Sequence, residues 1–196
     1  DKDKDAVICP VAAKAQVDPF AKAFGTFTAM SYTGVGDDVI ELPSGLKAGF
    51  VEVNHAGPSN FAVWAFDKDM ERVDLLANEI GNYAGAAPFG FGFSDEPVKY
   101  LEVTAGGTWT VNIKPITDAP AFTGMGTGAG VFKGFISGGS KTLTHVGSSN
   151  FAVWQYCTNG DSDLLANEIG SYTGRKIVRS GSCVIAVEAD GTWSIK

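Results

Sequence analysis

The side chains in this sequence that could do chemistry occur in pairs, at matching places in its two halves. The two histidines, His55 and His145, each stand just before a predicted turn, and neither has a partner at a metal-ligand spacing. The sequence contains no nucleophile elbow, phosphate-binding loop or His-Glu-x-x-His motif. We therefore expect both histidines to be structural, with a metal ligand or a catalytic base as the alternatives.

A glutamate also recurs, as Glu79 and Glu168, within an octapeptide that is identical at 74–81 and 163–170. Such carboxylates could be the acids of a glycoside hydrolase, each of which needs a second carboxylate several ångström away. A single active site would not need to be present twice, so the recurrence favours a structural role. In that interpretation Asn78 caps a turn, and the leucines and isoleucine pack.

Oxygen-bearing side chains cluster in one loop of each half, where they could bind calcium. The candidate ligands are Asp67, Asp69, Asp74, Asn159, Asp161 and Asp163. Their spacing is not that of an EF-hand, and polar residues also form ordinary turns. Calcium is the one cofactor that the sequence suggests, and otherwise we expect none.

Trp64 and Trp154 could be stacking platforms for sugars, because strand alternation places them on the face opposite their phenylalanine and valine neighbours. Asn60 and Asn150 lie on the same strand faces and could hydrogen-bond a ligand. A tryptophan in so apolar a strand can also be a core residue. The sequence leaves both interpretations open.

Cys157 and Cys183 have no counterpart in the first half, where Asp67 and Lys99 occupy the matching positions. Because both cysteines are confined to one copy, we expect them to form a disulfide bond, as in small extracellular β-domains with modest cores. Two unconnected buried thiols are the alternative. Cys9 is then left free or paired between chains.

These paired residues belong to a tandem repeat. Segment 55–64 returns as 145–154, so each copy is about 90 residues long and can bury its own core. Ahead of the repeats, Asp18 and Gly25 are suited to begin and end a short helix. The predicted segments are an N-terminal arm with this helix, a first β-sandwich and a second β-sandwich, at 1–26, 27–117 and 118–196.

Short β-runs separated by turn residues predict an all-β fold of two tandem antiparallel β-sandwiches that resemble jelly rolls. We expect the glycine-containing turns 105–107 and 189–191 to join the last two strands of each copy as hairpins. The strand candidates of the first copy are 38–42, 49–54, 60–67, 73–77, 98–104 and 108–113.

Composition limits the partners of the chain. A formal net charge of -7 disfavours nucleic-acid binding, which needs clustered basic residues. No apolar run is long enough to span a membrane. Together with the predicted disulfide bond, these features favour a secreted or cell-surface protein.

The repeated strings Ser-Asn-Phe-Ala-Val-Trp and Asp-Leu-Leu-Ala-Asn-Glu-Ile-Gly, followed by Ala-x-Gly-Thr-Trp, resemble repeat modules of secreted and surface-attached bacterial proteins. The resemblance covers residues 27–196. The layout of these modules is similar to that of prepeptidase C-terminal jelly rolls, which are non-catalytic appendages. The resemblance implies a jelly-roll fold and an extracellular location, and it assigns no activity and no binding residue.

Three functions are consistent with the sequence, and we predict the first, which is not an enzyme. The first is a non-catalytic extracellular or cell-surface protein with a binding or structural role, whose ligand would be a glycan or another extracellular polymer. The second is a subunit of an extracellular assembly or filament, in which residues 6–11 add a strand to a neighbour's sheet. The third is a hydrolase with its site between the domains, where Asp37, Asp38 or Glu41 would face a carboxylate of the other domain.

Overall fold

A computed structural model describes residues 17–91 and 96–196. The predicted interaction arm, residues 6–11, and Cys9 lie outside the described residues, so strand addition stays a prediction. The elements of the first repeat are α1 (Pro19–Phe24), β1 (Met30–Val35), β2 (Asp38–Glu41), β3 (Gly49–Ala56), β4 (Asn60–Phe66), β5 (Arg72–Ile80), β6 (Tyr83–Phe89), β7 (Tyr100–Ala105) and β8 (Thr108–Lys114).

A short 3-10 helix (Ile116–Asp118) links the first repeat to the second. The second repeat consists of β9 (Met125–Thr127), β10 (Gly130–Ile136), β11 (Gly139–Val146), β12 (Asn150–Cys157), β13 (Ser162–Ile169), β14 (Tyr172–Val178), β15 (Gly181–Ala189) and β16 (Thr192–Ile195). No helix in the described part of the chain is long and apolar enough to cross a membrane.

The predicted helix is α1, and its ends are those that the sequence suggests. The Phe20 N–H donates a 2.8 Å hydrogen bond to the Asp18 side chain, which caps the first turn. Gly25 ends the helix with a φ of 78°, in the left-handed region that glycine adopts without strain. Phe20 and Phe24 of this helix pack against the junction between the repeats.

Within the described residues, each repeat contains two four-stranded antiparallel sheets. In the first repeat, sheet I has the order β1-β8-β3-β6 and sheet II the order β2-β7-β4-β5. In the second repeat, sheet III has the order β10-β15-β12-β13 and sheet IV the order β9-β16-β11-β14. Adding eight to each strand number converts sheets II and I into sheets III and IV, so the whole topology is duplicated. This pair of strand orders, in which the chain passes back and forth between two packed sheets, is that of a jelly roll. The structure confirms the predicted all-β fold class.

Most consecutive strands in the described residues lie in opposite sheets of a sandwich, and only β4–β5 and β12–β13 are neighbours in one sheet. The prediction of hairpins at 105–107 and 189–191 is therefore wrong. Turn 105–107 instead carries the chain across the end of the sandwich, where a Cβ on Gly107 would overlap the backbone of Ala56. Alternation identifies the buried face of a strand, but it does not identify the sheet to which the strand belongs.

The recurring octapeptide forms part of a strand in the first repeat, so the expected turn at Asn78 is wrong. Strand β5 continues through Asn78 to Ile80, and the chain turns at Gly81, whose φ is 91°. The octapeptide keeps Leu76 and Ala77 buried against the sandwich core while Asn78 and Glu79 are exposed. A bulge between Val63 and Trp64 of the neighbouring strand shifts the register at this place.

The predicted disulfide bond is confirmed. Cys157 and Cys183 are direct partners on β12 and β15, with a Cα–Cα distance of 4.0 Å, and both side chains are buried in the second core. In the first repeat the corresponding place, just beyond the Phe66–Tyr100 pair, has Asp67 and Lys99 instead. The disulfide bond therefore fastens the two central strands of sheet III at one end.

A third apolar cluster joins the two repeats. Strand β12 points Phe151 and Val153 into its own sandwich and turns Trp154 and Tyr156 outward. This outer face of sheet III packs against the first repeat, where Phe91 lies over Tyr156 with ring centroids 4.6 Å apart. The members of the cluster are Phe20, Phe24, Phe50, Ala86, Phe91, Ile116, Ala119, Val131, Trp154, Tyr156, Val184 and Ala186.

Candidate functional site

A cleft lies beside this junction, between the β5 and β6 edges of the first repeat and the outer face of sheet III. The cleft has a volume of about 790 Å³, within the range of small-ligand sites. Its polar and aromatic lining residues are Arg72, Asp74, Asn78, Glu79, Tyr83, Phe91, Ser149, Asn150, Trp154, Tyr156, Ser162 and Glu188.

Aromatic rings form the second repeat's side of the cleft. Trp154 and Tyr156 are two residues apart on β12, so they point to the same face, and their rings are parallel with centroids 6.0 Å apart. Both side chains are half-buried because Phe91 and the third cluster cover one side of them. The uncovered side offers a flat apolar surface to the cleft.

Amide and carboxylate groups line the cleft beside these rings. The Asn150 amide donates a 3.1 Å hydrogen bond to a carboxylate oxygen of Glu188, so the two side chains hold each other in place. Glu79 approaches from the first repeat. Although the Glu79 side chain is exposed overall, partial burial in the cleft raises the pKa of its carboxyl, and the negative charges of Glu188 and Asp190 raise it further. The cleft thus brings two carboxylates from different repeats into electrostatic contact.

Two tyrosines in the cleft remain neutral hydrogen-bond donors at physiological pH. Burial, followed by the charges of Glu79 and Glu188, raises the pKa of Tyr83 to about 12. Burial and the charge of Asp74 raise the pKa of Tyr156 well above its ordinary value. Burial also raises the pKa of Asp74, against a hydrogen bond from the Gly90 backbone.

We call two residues twins when they occupy the same position of the two repeats. The two predicted platforms, Trp64 with Asn60 and Trp154 with Asn150, are twins of each other, and the structure separates them. Trp154 and Asn150 line the cleft, whereas Trp64 and Asn60 do not. The guanidinium of Arg72 lies 4.3 Å from the centroid of the Trp64 ring and covers it. Of the four predicted ligand-binding residues, only the two of the second repeat are brought together in this site.

The histidines are buried and hold turns. His55 Nδ1 donates a 2.7 Å hydrogen bond to the Gly81 carbonyl, and His145 Nδ1 donates a 2.8 Å bond to the Gly170 carbonyl. Each imidazole stacks on a buried phenylalanine of the next strand, with centroids 4.7 Å apart. His145 Nε2 also lies 3.2 Å from Asp190, which holds the following turn through Ser148. These contacts are those of structural residues.

The first candidate calcium loop is dispersed. Asp67 is buried at the β4–β5 turn, where one carboxylate oxygen accepts two backbone N–H hydrogen bonds of 2.9 Å. Asp69 is exposed and forms an ion pair with Lys68. Asp74 is not part of that turn, because it lies on β5 in the cleft.

In the second loop, Asp161 and Asp163 both form ion pairs with Arg179, and Asn159 donates a hydrogen bond to Asp161. Across residues 17–91 and 96–196, no three His, Cys, Asp or Glu side chains form a metal-binding group. Calcium stays an untested alternative to the expectation of no cofactor, and in this loop it would have to displace Arg179.

Sequence reasoning missed Glu188, Tyr156 and Tyr83 as cleft residues. The site residues predicted from the sequence were mainly side chains that recur in both repeats. The cleft lies where the two repeats contact each other, and the repeats differ in sequence at that contact. Glu188 has Thr104 as its twin, and Ala186 has Glu102. The differences between the copies are therefore the signal that could have located the cleft.

The chain matches no family model and no curated protein. Among solved structures, it has a match to the stem and receptor binding domain of the spike protein P1 from bacteriophage PM2. The match is 10% identical, covers 87% of this chain and 78% of that chain, and has a TM-score of 0.14. A similarity at that level supports no inference about function.

Proposed function

We propose that this protein is a non-catalytic extracellular binding protein whose ligand site is the cleft between its two repeats, and whose ligand is a glycan. One observation carries the proposal: an aromatic surface and hydrogen-bonding groups line the same cleft. Trp154 offers an apolar ring face, and Asn150, Glu188 and Glu79 offer amide and carboxylate groups. A sugar ring needs both, because its C–H face is apolar and its hydroxyl groups donate and accept hydrogen bonds.

The disulfide bond supports the extracellular location, since such bonds persist in oxidising compartments. A secreted or cell-surface protein with this cleft would meet glycans in solution or on surfaces. The recurring histidines support the non-catalytic role, because each is buried and hydrogen-bonds the carbonyl of a turn.

Glycoside hydrolysis is the second candidate, and the carboxylates across the cleft favour it. Glu79, with its raised pKa, would be the acid, and Glu188 would be the base or nucleophile. Binding is the better supported function, because both carboxylates are exposed and Glu188 is engaged by Asn150. A catalytic acid is usually more thoroughly withdrawn from water.

A glycan array followed by calorimetry with the best oligosaccharide tests the proposal. We expect Asn150→Ala and Glu79→Gln each to weaken binding by roughly tenfold or more, which is the effect of losing one hydrogen bond to a charged or amide group. The twin variants Asn60→Ala and Glu168→Gln are matched controls, because their side chains are exposed outside the cleft.

Unchanged binding by the controls and weakened binding by the cleft variants is the expected result. Binding to no glycan, or equal losses in cleft and twin variants, would overturn the proposal. Release of shortened oligosaccharides by the wild type, abolished by Glu79→Gln, would establish the hydrolase instead.

A further inference from the structure

Each repeat has an outer sheet face built on the same strands, but among residues 17–91 and 96–196 only one of the two faces is covered. In the second repeat, Val131, Val184 and Ala186 of sheet III are buried beneath the first repeat. In the first repeat, the twins on sheet II are Val39, Tyr100 and Glu102. Val39 is 61% exposed, and Tyr100 and Glu102 are only half-buried. We call this open surface the sheet II face.

The element that covers sheet III also has a twin. Strand β6 docks through a small, apolar edge, Ala86-Ala87-Pro88, and the Ala86 N–H donates a 3.2 Å hydrogen bond to the Ala129 carbonyl. Its twin, β14, presents Arg175-Lys176-Ile177 at the same places, and Ile177 is 74% exposed. The edge of β14 is therefore at the free end of the second repeat, and the sheet II face is at the free end of the first.

The replacements at these two free ends are complementary in charge. Ala86 and Ala186 belong to the same cluster at the junction between the repeats. Their twins are Arg175 on β14 and Glu102 on the sheet II face. The apolar pair at the junction between the repeats is thus replaced by a basic residue on β14 and an acidic residue on the sheet II face. The other charges of the face are Arg72, which lies over Trp64, and Glu41, which is paired with Lys99.

We propose that the chain associates head to tail, with the sheet II face of one copy receiving strand β14 of the next copy. The contact uses different surfaces on the two partners, so each copy that joins leaves one face and one β14 edge free. Repetition of such a contact gives an open chain of molecules. Arg175 and Glu102 form the ion pair that sets the register, and the exposed side chains of Val39 and Ile177 become buried. Neither Glu102 nor Arg175 lines the cleft, so this association does not rest on the proposed glycan binding.

Sedimentation of the full chain over a range of concentrations, up to millimolar, tests the proposal. We expect the wild type to grow beyond a dimer and to dissociate as salt is added, because the pair is close to the surface. Glu102→Arg and Arg175→Glu should each weaken association by roughly a hundredfold, because each places like charges opposite one another. Lys22→Glu changes the net charge as Arg175→Glu does, but it lies on α1 at the junction and should associate as the wild type does.

An equimolar mixture of Glu102→Arg and Arg175→Glu chains distinguishes this contact from others, because each contact between unlike chains again joins opposite charges. We expect the mixture to regain association. A wild type that stays monomeric overturns the proposal, as does a species that stops at a dimer. Association that neither charge reversal affects also overturns it, and deletion of residues 1–17 would then test the N-terminal arm as the contact.

Discussion

Breaking the Cys157–Cys183 bond should destabilise the second repeat far more than the first. The bond joins residues 26 apart in sequence, across the two central strands of sheet III. Reduced protein, refolded from urea in the presence of a reductant, has the same heavy atoms as the native chain. The comparison therefore isolates the cross-link from any loss of side-chain packing.

The expected loss follows from the entropy of closing that loop in the unfolded chain. For a loop of 26 residues, the chain-entropy relation gives about 3.5 kcal/mol at 25 °C. A single domain of this size is stabilised by roughly 5 to 15 kcal/mol, so the loss is a large share of the stability of the repeat.

Hydrogen exchange measured by mass spectrometry can resolve the two repeats. Peptides from β12 and β15 should lose protection equivalent to about 3.5 kcal/mol. Peptides from the twin strands β4 and β7, which have no disulfide bond, are the internal control and should change much less. Equal loss of protection in both repeats, or no loss in either, would refute the reasoning that the bond stabilises its own repeat through the unfolded chain.

Three further predictions follow from the structure. Gly34→Ala and Gly126→Ala should each cost about 1 to 3 kcal/mol in urea unfolding, because a Cβ at either place overlaps the ring of a core tryptophan; no loss would mean that the ring can move. Partial burial raises the pKa of Glu79 above its ordinary 4.5. The folded state therefore binds the proton more tightly than the unfolded state, and stability falls as the pH rises through the pKa of Glu79. Glu79→Gln should raise the thermal midpoint near pH 7 and leave it unchanged near pH 3; equal shifts at the two pH values would contradict this. Calcium should leave the thermal midpoint unchanged, because the carboxylates of loops 67–74 and 159–163 are engaged by backbone and basic groups; a midpoint that rises with calcium and returns with chelator would establish a site.

The sequence predicts the strands better than it predicts their connections. Alternating apolar residues locate strands such as Thr108–Lys114, because one face of each strand must be buried. Strand β6 was missed, since Ala, Gly and Pro at 84–88 have little intrinsic preference for a strand. Its pairing with β3 joins residues that are 28 (His55 and Tyr83) to 40 (Gly49 and Phe89) positions apart along the chain, which the local pattern does not reveal.

The different environments of Trp64 and Trp154 could not be predicted from the sequence of one repeat alone. Trp64 and Trp154 follow the same five residues, Ser-Asn-Phe-Ala-Val, yet Arg72 covers Trp64 and Trp154 lies in a cleft. The difference arises because the first repeat packs against sheet III and nothing in the described residues packs in the same way against sheet II. The twin positions that differ, such as Ala86 and Arg175, encode that asymmetry.

The most direct test of a ligand site in the cleft is the response of the four tryptophans to a bound glycan. In protein with isotope-labelled tryptophan, each indole N–H gives one NMR signal, and Trp154→Phe assigns the signal from the cleft. Trp109 and Trp193 are internal controls, because both side chains are buried and their indole N–H groups donate to the carbonyls of Gly36 and Gly128 at 2.8 and 3.0 Å. On titration with the oligosaccharide selected by the array, the Trp154 signal should move while those of Trp64, Trp109 and Trp193 stay. Movement of the Trp64 signal with Trp154 unchanged would contradict a ligand site between the repeats.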